Sequence, residues 1–174
     1  MKLTTKMVLM VAAVSMAACT NADRFGADDG AGAFDPNAAA NAGIIAGSAS
    51  DPTSTAYFQQ AVGDRVLFEV DQSSLTAGGR TTLDGQATWL LTNADYTVIV
   101  EGHADEQGTR EYNIALGNRR ADAARSYLLS KGVPSSRLQI VSYGKERPIE
   151  ICSEEACYSK NRRAVTVLAG GLTG

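Results

Sequence analysis

Apolar positions along this chain recur with two different periods, and the switches between them outline a small mixed domain. Residues 65–70 (RVLFEV) are dense in β-branched and aromatic side chains and predict a strand. Leu83, Ala87, Leu90, Leu91 and Ala94 then recur at helical spacing, which predicts a helix over roughly 76–94. Residues 96–100 (YTVIV) predict a second strand, and 112–131 a second helix closed by Gly132 and followed by Pro134. Two further strands are predicted at 138–142 (LQIVS) and 164–168 (AVTVL), with a loop between them that carries Cys152 and Cys157. The order β-α-β-α-β-β implies an α+β two-layer sandwich, in which two main helices pack on one face of a small mixed sheet.

Before Tyr57 neither period holds. Residues 20–52 are a low-complexity run of Ala, Gly, Asn, Asp and Ser with too little apolar surface to offset the entropy of ordering, so the run is expected to be a flexible tether. As a random coil it would span roughly 30 Å. Ahead of it, Lys2 and Lys6 precede an apolar run from Met7 to Val14 and a small-residue ending, the pattern of a secretory signal too short to span a bilayer. The ending Ser15-Met16-Ala17-Ala18-Cys19 resembles the bacterial lipobox, with Met16 where Leu is usual. That resemblance implies cleavage before Cys19 and lipidation of Cys19, and Thr20 in the following position implies sorting to the outer membrane; the alternative is an ordinary signal peptide cut after an Ala-x-Ala-like site, with Cys19 left as a free thiol. The expected division is a signal peptide at 1–18, the lipidated cysteine and tether at 19–56, a folded domain at 57–169 and a disordered tail at 170–174.

Composition narrows the chemistry. The 174-residue chain has a formal net charge of -3, with 16 basic and 19 acidic residues. Such a balance excludes nucleic acid as the main partner, since phosphate binding needs a basic face. Membrane attachment must then come from the lipid anchor, because an anionic chain gains nothing from an anionic surface. One histidine and three cysteines are too few for a His-rich metal site or a zinc ribbon, and no cofactor motif is present. With Cys19 assigned to lipid, Cys152 and Cys157 are left to pair as a disulfide in an oxidising compartment, the alternatives being two free thiols or half a zinc site.

The charges concentrate in residues 101–121, EGHADEQGTREYNIALGNRRA. On a helical wheel Leu116, Ala121, Ala124, Tyr127 and Leu128 define an apolar arc, with Arg119, Asp122, Arg125 and Ser126 opposite. Asn113 and Arg120 fall inside the apolar arc, and Arg119 outside it. A guanidinium on the core side must find acceptors or carry a large desolvation cost. Three readings stand open at this point: an internal pair with Asp105, a stem that snorkels to the sheet edge, or a grip on a ligand anion. His103 is expected to be a packed, hydrogen-bonded loop residue, since no nucleophile accompanies it. Glu101, Glu106 and Glu111 are read as solvated or structural. Asp105 and Glu106 are adjacent in a loop and make poor paired carboxylates for a cell-wall hydrolase.

The runs VEGHADEQGTREYNIALGNRRADA, IVSYGKERP and YSKNRRAV fall in one order and spacing, and together they resemble the peptidoglycan-associated lipoproteins of the OmpA C-terminal-like family over about residues 60–168. The resemblance implies a binding module, not an enzyme. It implies non-covalent binding of peptidoglycan through the meso-diaminopimelate of its stem peptide, linking outer membrane to cell wall as part of the Tol-Pal system in envelope integrity and cell division. In the family an aspartate, here Asp105, and the second arginine of the helix motif, here Arg120, grip that residue. Asp71, Ala104, Asn113 and Leu116 are implied to line the site, with Arg162 flanking it or held in a structural ion pair. Val70 stands where the family's F-x-F-D motif has a second aromatic. A periplasmic β-propeller partner of the Tol system, TolB, is implied to compete for the same face. The remaining alternatives are another OmpA-like wall-anchoring protein of a secretion or motility machine, and the hydrolase.

The chemistry of the implied ligand explains the charged pair. The free end of diaminopimelate carries an ammonium and a carboxylate on one carbon, which suit an acceptor-only carboxylate and a forked guanidinium respectively.

Overall fold

The computed structural model describes residues 44–170. Four strands form one sheet: β1 (Arg65–Leu67), β2 (Thr97–His103), β3 (Leu138–Gly144) and β4 (Arg163–Ala169). Their spatial order is β1-β4-β2-β3, with β4 antiparallel to both neighbours and β2 parallel to β3. Two long helices, α1 (Ala77–Thr92) and α2 (Arg110–Ser130), and a short α3 (Glu155–Asn161) complete the regular elements named here. The α+β sandwich expected from the sequence is the observed fold.

Both long helices begin at the side chain that should start them. Thr76 accepts from the Gly79 amide and Thr109 from the Tyr112 amide, each in the extended backbone conformation of an N-cap. Alternate residues of the strands, among them Val66, Val98, Val100 and Ala164, meet Leu83, Ala87 and Leu90 of α1 and Ala121, Ala124 and Leu128 of α2 in a single core. The core also takes in polar Gln86, fully buried, which donates to the Gly63 carbonyl and accepts from the Thr166 hydroxyl. Helix α2 lies directly on β2, where Gly102 and Gly117 let the two backbones meet.

Corrections are needed at three places: the N-terminal part of the domain, the cysteine loop and His103. The ordered chain starts well before Tyr57: Trp89 donates to the Pro52 carbonyl, Tyr96 to that of Thr53, and Phe58 packs its ring 4.9 Å from that of Trp89. These long-range partners hold a segment whose own composition resembles the tether. It continues as a helical turn at Thr55–Tyr57 and a π-helix at Phe58–Gly63, neither of which the periodicity suggested. The first strand ends at Leu67, not at Val70: beyond the Phe68 amide, which still bonds the Arg162 carbonyl, the chain turns away through Asp71 at a φ of 56°. The second correction concerns the cysteine loop, whose latter half winds into α3. Cys152 and Cys157 are joined in a disulfide across the start of that helix. Third, His103 is the last residue of β2 rather than a loop residue. Residues 1–18, Cys19, the tether as far as residue 43 and the tail from 171 lie outside the described residues.

Candidate functional site

The end of β2 feeds a loop that the rest of the fold pins at almost every residue. The Ala104 amide donates to the Gly144 carbonyl, and Asp105 Oδ1 accepts from the Gln107 amide. Gly108 takes a φ of +89°, and its carbonyl accepts from Lys145 Nζ at 2.7 Å. Asn113, one turn into α2, donates to the Gln107 carbonyl at 2.7 Å. Opposite this loop stands Asp71, in the left-handed region that Asp tolerates better than most side chains, accepting a hydrogen bond from the Tyr112 hydroxyl. Between the two loops lies a pocket of about 290 Å³, walled by Val70, Asp71, Asp105, Gln107, Gly108, Tyr112, Asn113 and Leu116.

Acceptors dominate this pocket. Asp71 and Asp105 bring carboxylates, and Asn113, 1% exposed, has an amide oxygen with no hydrogen-bond partner among the described residues. A buried acceptor left open in this way costs free energy. The Tyr112 hydroxyl holds its proton more tightly than usual, because it donates to the neighbouring Asp71 carboxylate.

Arg120 sits behind the pocket wall with no exposed surface. Its Nε donates to the Gln72 carbonyl at 2.8 Å, Nη1 to His103 at 2.9 Å and Nη2 to Glu69 at 3.1 Å. The guanidinium thus ties the Asp71 loop to the end of β2. It also lies 5.3 Å from the centre of the Phe68 ring. Burial pushes its pKa down to about 10, opposed by the charge of Asp105, and it stays cationic at neutral pH. Five N–H groups less the three committed leave one on each Nη.

The internal Asp105–Arg120 ion pair weighed from the sequence is not the arrangement found. Asp105 instead meets Arg162, Nη1 to Oδ2 at 3.3 Å, and Arg162 also donates to both oxygens of Glu155 and to the Phe68 carbonyl. Of the residues singled out in the sequence, Asp71, Asp105, Asn113 and Leu116 line the pocket, while Ala104, Arg120 and Arg162 form the layer behind it. Arg119 is exposed, its guanidinium 5.9 Å from the centre of the Tyr112 ring. Glu106 turns away from the pocket to accept from Asn161. Sequence reasoning missed Tyr112, although its spacing of one turn before Leu116 was visible, and it missed the walls provided by Gln107 and Gly108.

His103 is buried with neither ring nitrogen hydrogen-bonded among the described residues, and its Nε2 is 3.6 Å from Glu101. Burial, with the charges of Arg163 and Arg147 adding to it, lowers its pKa to about 3, so the ring is neutral and the Glu101 contact is no ion pair. Such a ring offers no proton shuttle near neutral pH.

The chain is similar to known proteins in both sequence and structure. The sequence model of the OmpA family matches residues 67–162, which include both pocket loops and α2. The peptidoglycan-associated lipoprotein of Mesorhizobium japonicum is 49% identical over 164 residues, covering 94% of this chain and 91% of the relative. Among solved structures, the peptidoglycan-associated lipoprotein from Burkholderia pseudomallei superposes with a TM-score of 0.61 at 34% identity, over 68% of this chain and 97% of that one. The C-terminal domain of Helicobacter pylori MotB, at 20% identity and a TM-score of 0.57 over 61% of this chain and 84% of that one, shares the fold. The chain therefore belongs to the OmpA family. Within that family, both the Mesorhizobium japonicum relative and the Burkholderia pseudomallei structure are peptidoglycan-associated lipoproteins.

Proposed function

We propose that this chain is an outer-membrane lipoprotein that binds peptidoglycan by seating the free end of meso-diaminopimelate in the pocket between Asp71 and Asp105. The observation that carries the proposal is the convergence of the two carboxylates of Asp71 and Asp105 on one small pocket that Asn113 also lines, with a buried guanidinium close by that keeps two uncommitted N–H groups. Asp105 and Asn113 would take the ammonium, and Arg120 would draw in the carboxylate. The names of the relatives support peptidoglycan as the partner. Lipidation at Cys19 would place the anchor in the outer membrane and the domain in the periplasm. The link to the Tol system, with a β-propeller protein competing for the same face, and a role in envelope integrity and cell division, complete the reading. It calls for a binding module without catalysis.

Asp105→Asn tests it with little risk to the fold, because Arg162 keeps Glu155 as its partner. Cosedimentation with diaminopimelate-type cell wall is expected to weaken by about 2 kcal/mol or more, the cost of truncating one side of a desolvated charge contact. Wild-type protein should also prefer that wall to a lysine-type wall, whose stem residue lacks the distal carboxylate. Equal retention of Asp105→Asn and wild type would overturn the proposal.

A further inference from the structure

Glu155 lies outside the pocket, yet the structure connects it to the pocket through one buried side chain. It occupies the short loop closed by Cys152 and Cys157, at the first position of α3. Arg162 stands at the other end of that helix, and both of its terminal nitrogens reach the Glu155 carboxylate. The arginine side chain is 4% exposed, that of Asp105 11% and that of Glu155 65%. One buried guanidinium is thus shared between a pocket carboxylate and a surface carboxylate.

That sharing decides what Asp105 can offer. Alone with Arg162, Asp105 would belong to a neutral pair, and the free fork could close on both of its oxygens as bidentate arginine–carboxylate pairs do. Glu155 accepts from both Nη1 and Nη2 and so turns the forked edge of the guanidinium toward itself, and Arg162 makes one contact with Asp105, at 3.3 Å. With two carboxylates against one guanidinium, the group keeps a net negative charge beside the pocket. The Arg162 hydrogen bond also holds the Glu155 carboxyl below its ordinary range, as the pairing requires.

We propose that Glu155 is a positioning residue of the pocket: by occupying the far edge of Arg162 it keeps the Asp105 carboxylate available to the cationic end of the ligand. This rests on the reading of the pocket as a diaminopimelate site. The disulfide serves the same end by fixing the short loop on which Glu155 is carried.

The test compares wild-type mature protein with Glu155→Gln, titrated calorimetrically with a muropeptide ending in meso-diaminopimelate and with the same muropeptide acetylated on its distal amine. At low salt Glu155→Gln should bind the free-amine ligand about three- to five-fold more weakly, the scale for a partly exposed charge. The gap should narrow as salt is raised, and it should be absent for the acetylated ligand. Gln keeps the size of Glu and one acceptor oxygen, so a role through shape alone predicts no change. Melting curves establish that the variant is folded. If wild type discriminates between the two ligands but Glu155→Gln binds as well as wild type, or loses the same factor on both ligands at every salt concentration, this inference fails and the pocket reading stands. If wild type itself does not discriminate, both fall.

Discussion

Arg120→Ala is expected to abolish cosedimentation with diaminopimelate-type cell wall, while Arg119→Ala leaves it nearly intact. The two arginines are adjacent, but α2 turns one into the interior and the other into solvent. Truncating Arg120 releases the carbonyls of Glu69, Gln72 and His103 at once and removes the cation that stands behind the pocket. Stability should fall by about 3 kcal/mol, since buried acceptors lose their donor. Arg120→Lys should fail as well, because an ammonium is a point charge that cannot reproduce a planar fork reaching three carbonyls. Binding is to be compared below the melting transition of each variant, followed by circular dichroism. Retained binding by folded Arg120→Ala would remove the guanidinium from the site.

Gly102→Ala should not fold. A Cβ at that position would stand 1.8 Å from the Gly117 carbonyl oxygen and 2.6 Å from its carbon, and both are backbone atoms of α2 that no rotamer change can move. Relief requires lifting α2 off β2, which opens the core along Ala121 and Ala124. The expected loss exceeds about 4 kcal/mol, the range reached only by overpacking or comparable defects. Gly78 supplies the contrast, since a Cβ added there would meet nothing within 4 Å and the residue lies in the first turn of α1. Gly78→Ala should leave stability unchanged or raise it by up to about 1 kcal/mol. Denaturant unfolding of the two variants checks the pair, and a cooperative transition near the wild-type midpoint for Gly102→Ala would contradict the packing described.

The repeating parts of the fold were legible because their signals are local. Leu83, Ala87 and Leu90 mark α1 by spacing alone, and the alternation in YTVIV marks β2. What escaped depends on partners far along the chain. The segment from Pro52 is ordered by Trp89 and Tyr96, 37 and 43 residues away from the carbonyls they hold. Helix α3 is short and polar, and its stability comes from the disulfide and from what its ends touch, so no apolar period announced it. At the site, the wheel correctly turned Asn113 and Arg120 inward. It could not name the partners of Arg120, because backbone carbonyls carry no sequence signature. Nor could spacing show that Asp105 would meet Arg162, 57 residues on.

The most direct test of the pocket's role is an NMR titration of the mature protein with a muropeptide ending in meso-diaminopimelate, following backbone amides and the Asn113 side-chain amide. Binding as proposed predicts saturable shifts concentrated at Asp71, Asp105, Gln107, Gly108, Tyr112 and Asn113, the residues that wall the pocket. Saturable shifts on another face of the domain, with these six unmoved, would contradict it.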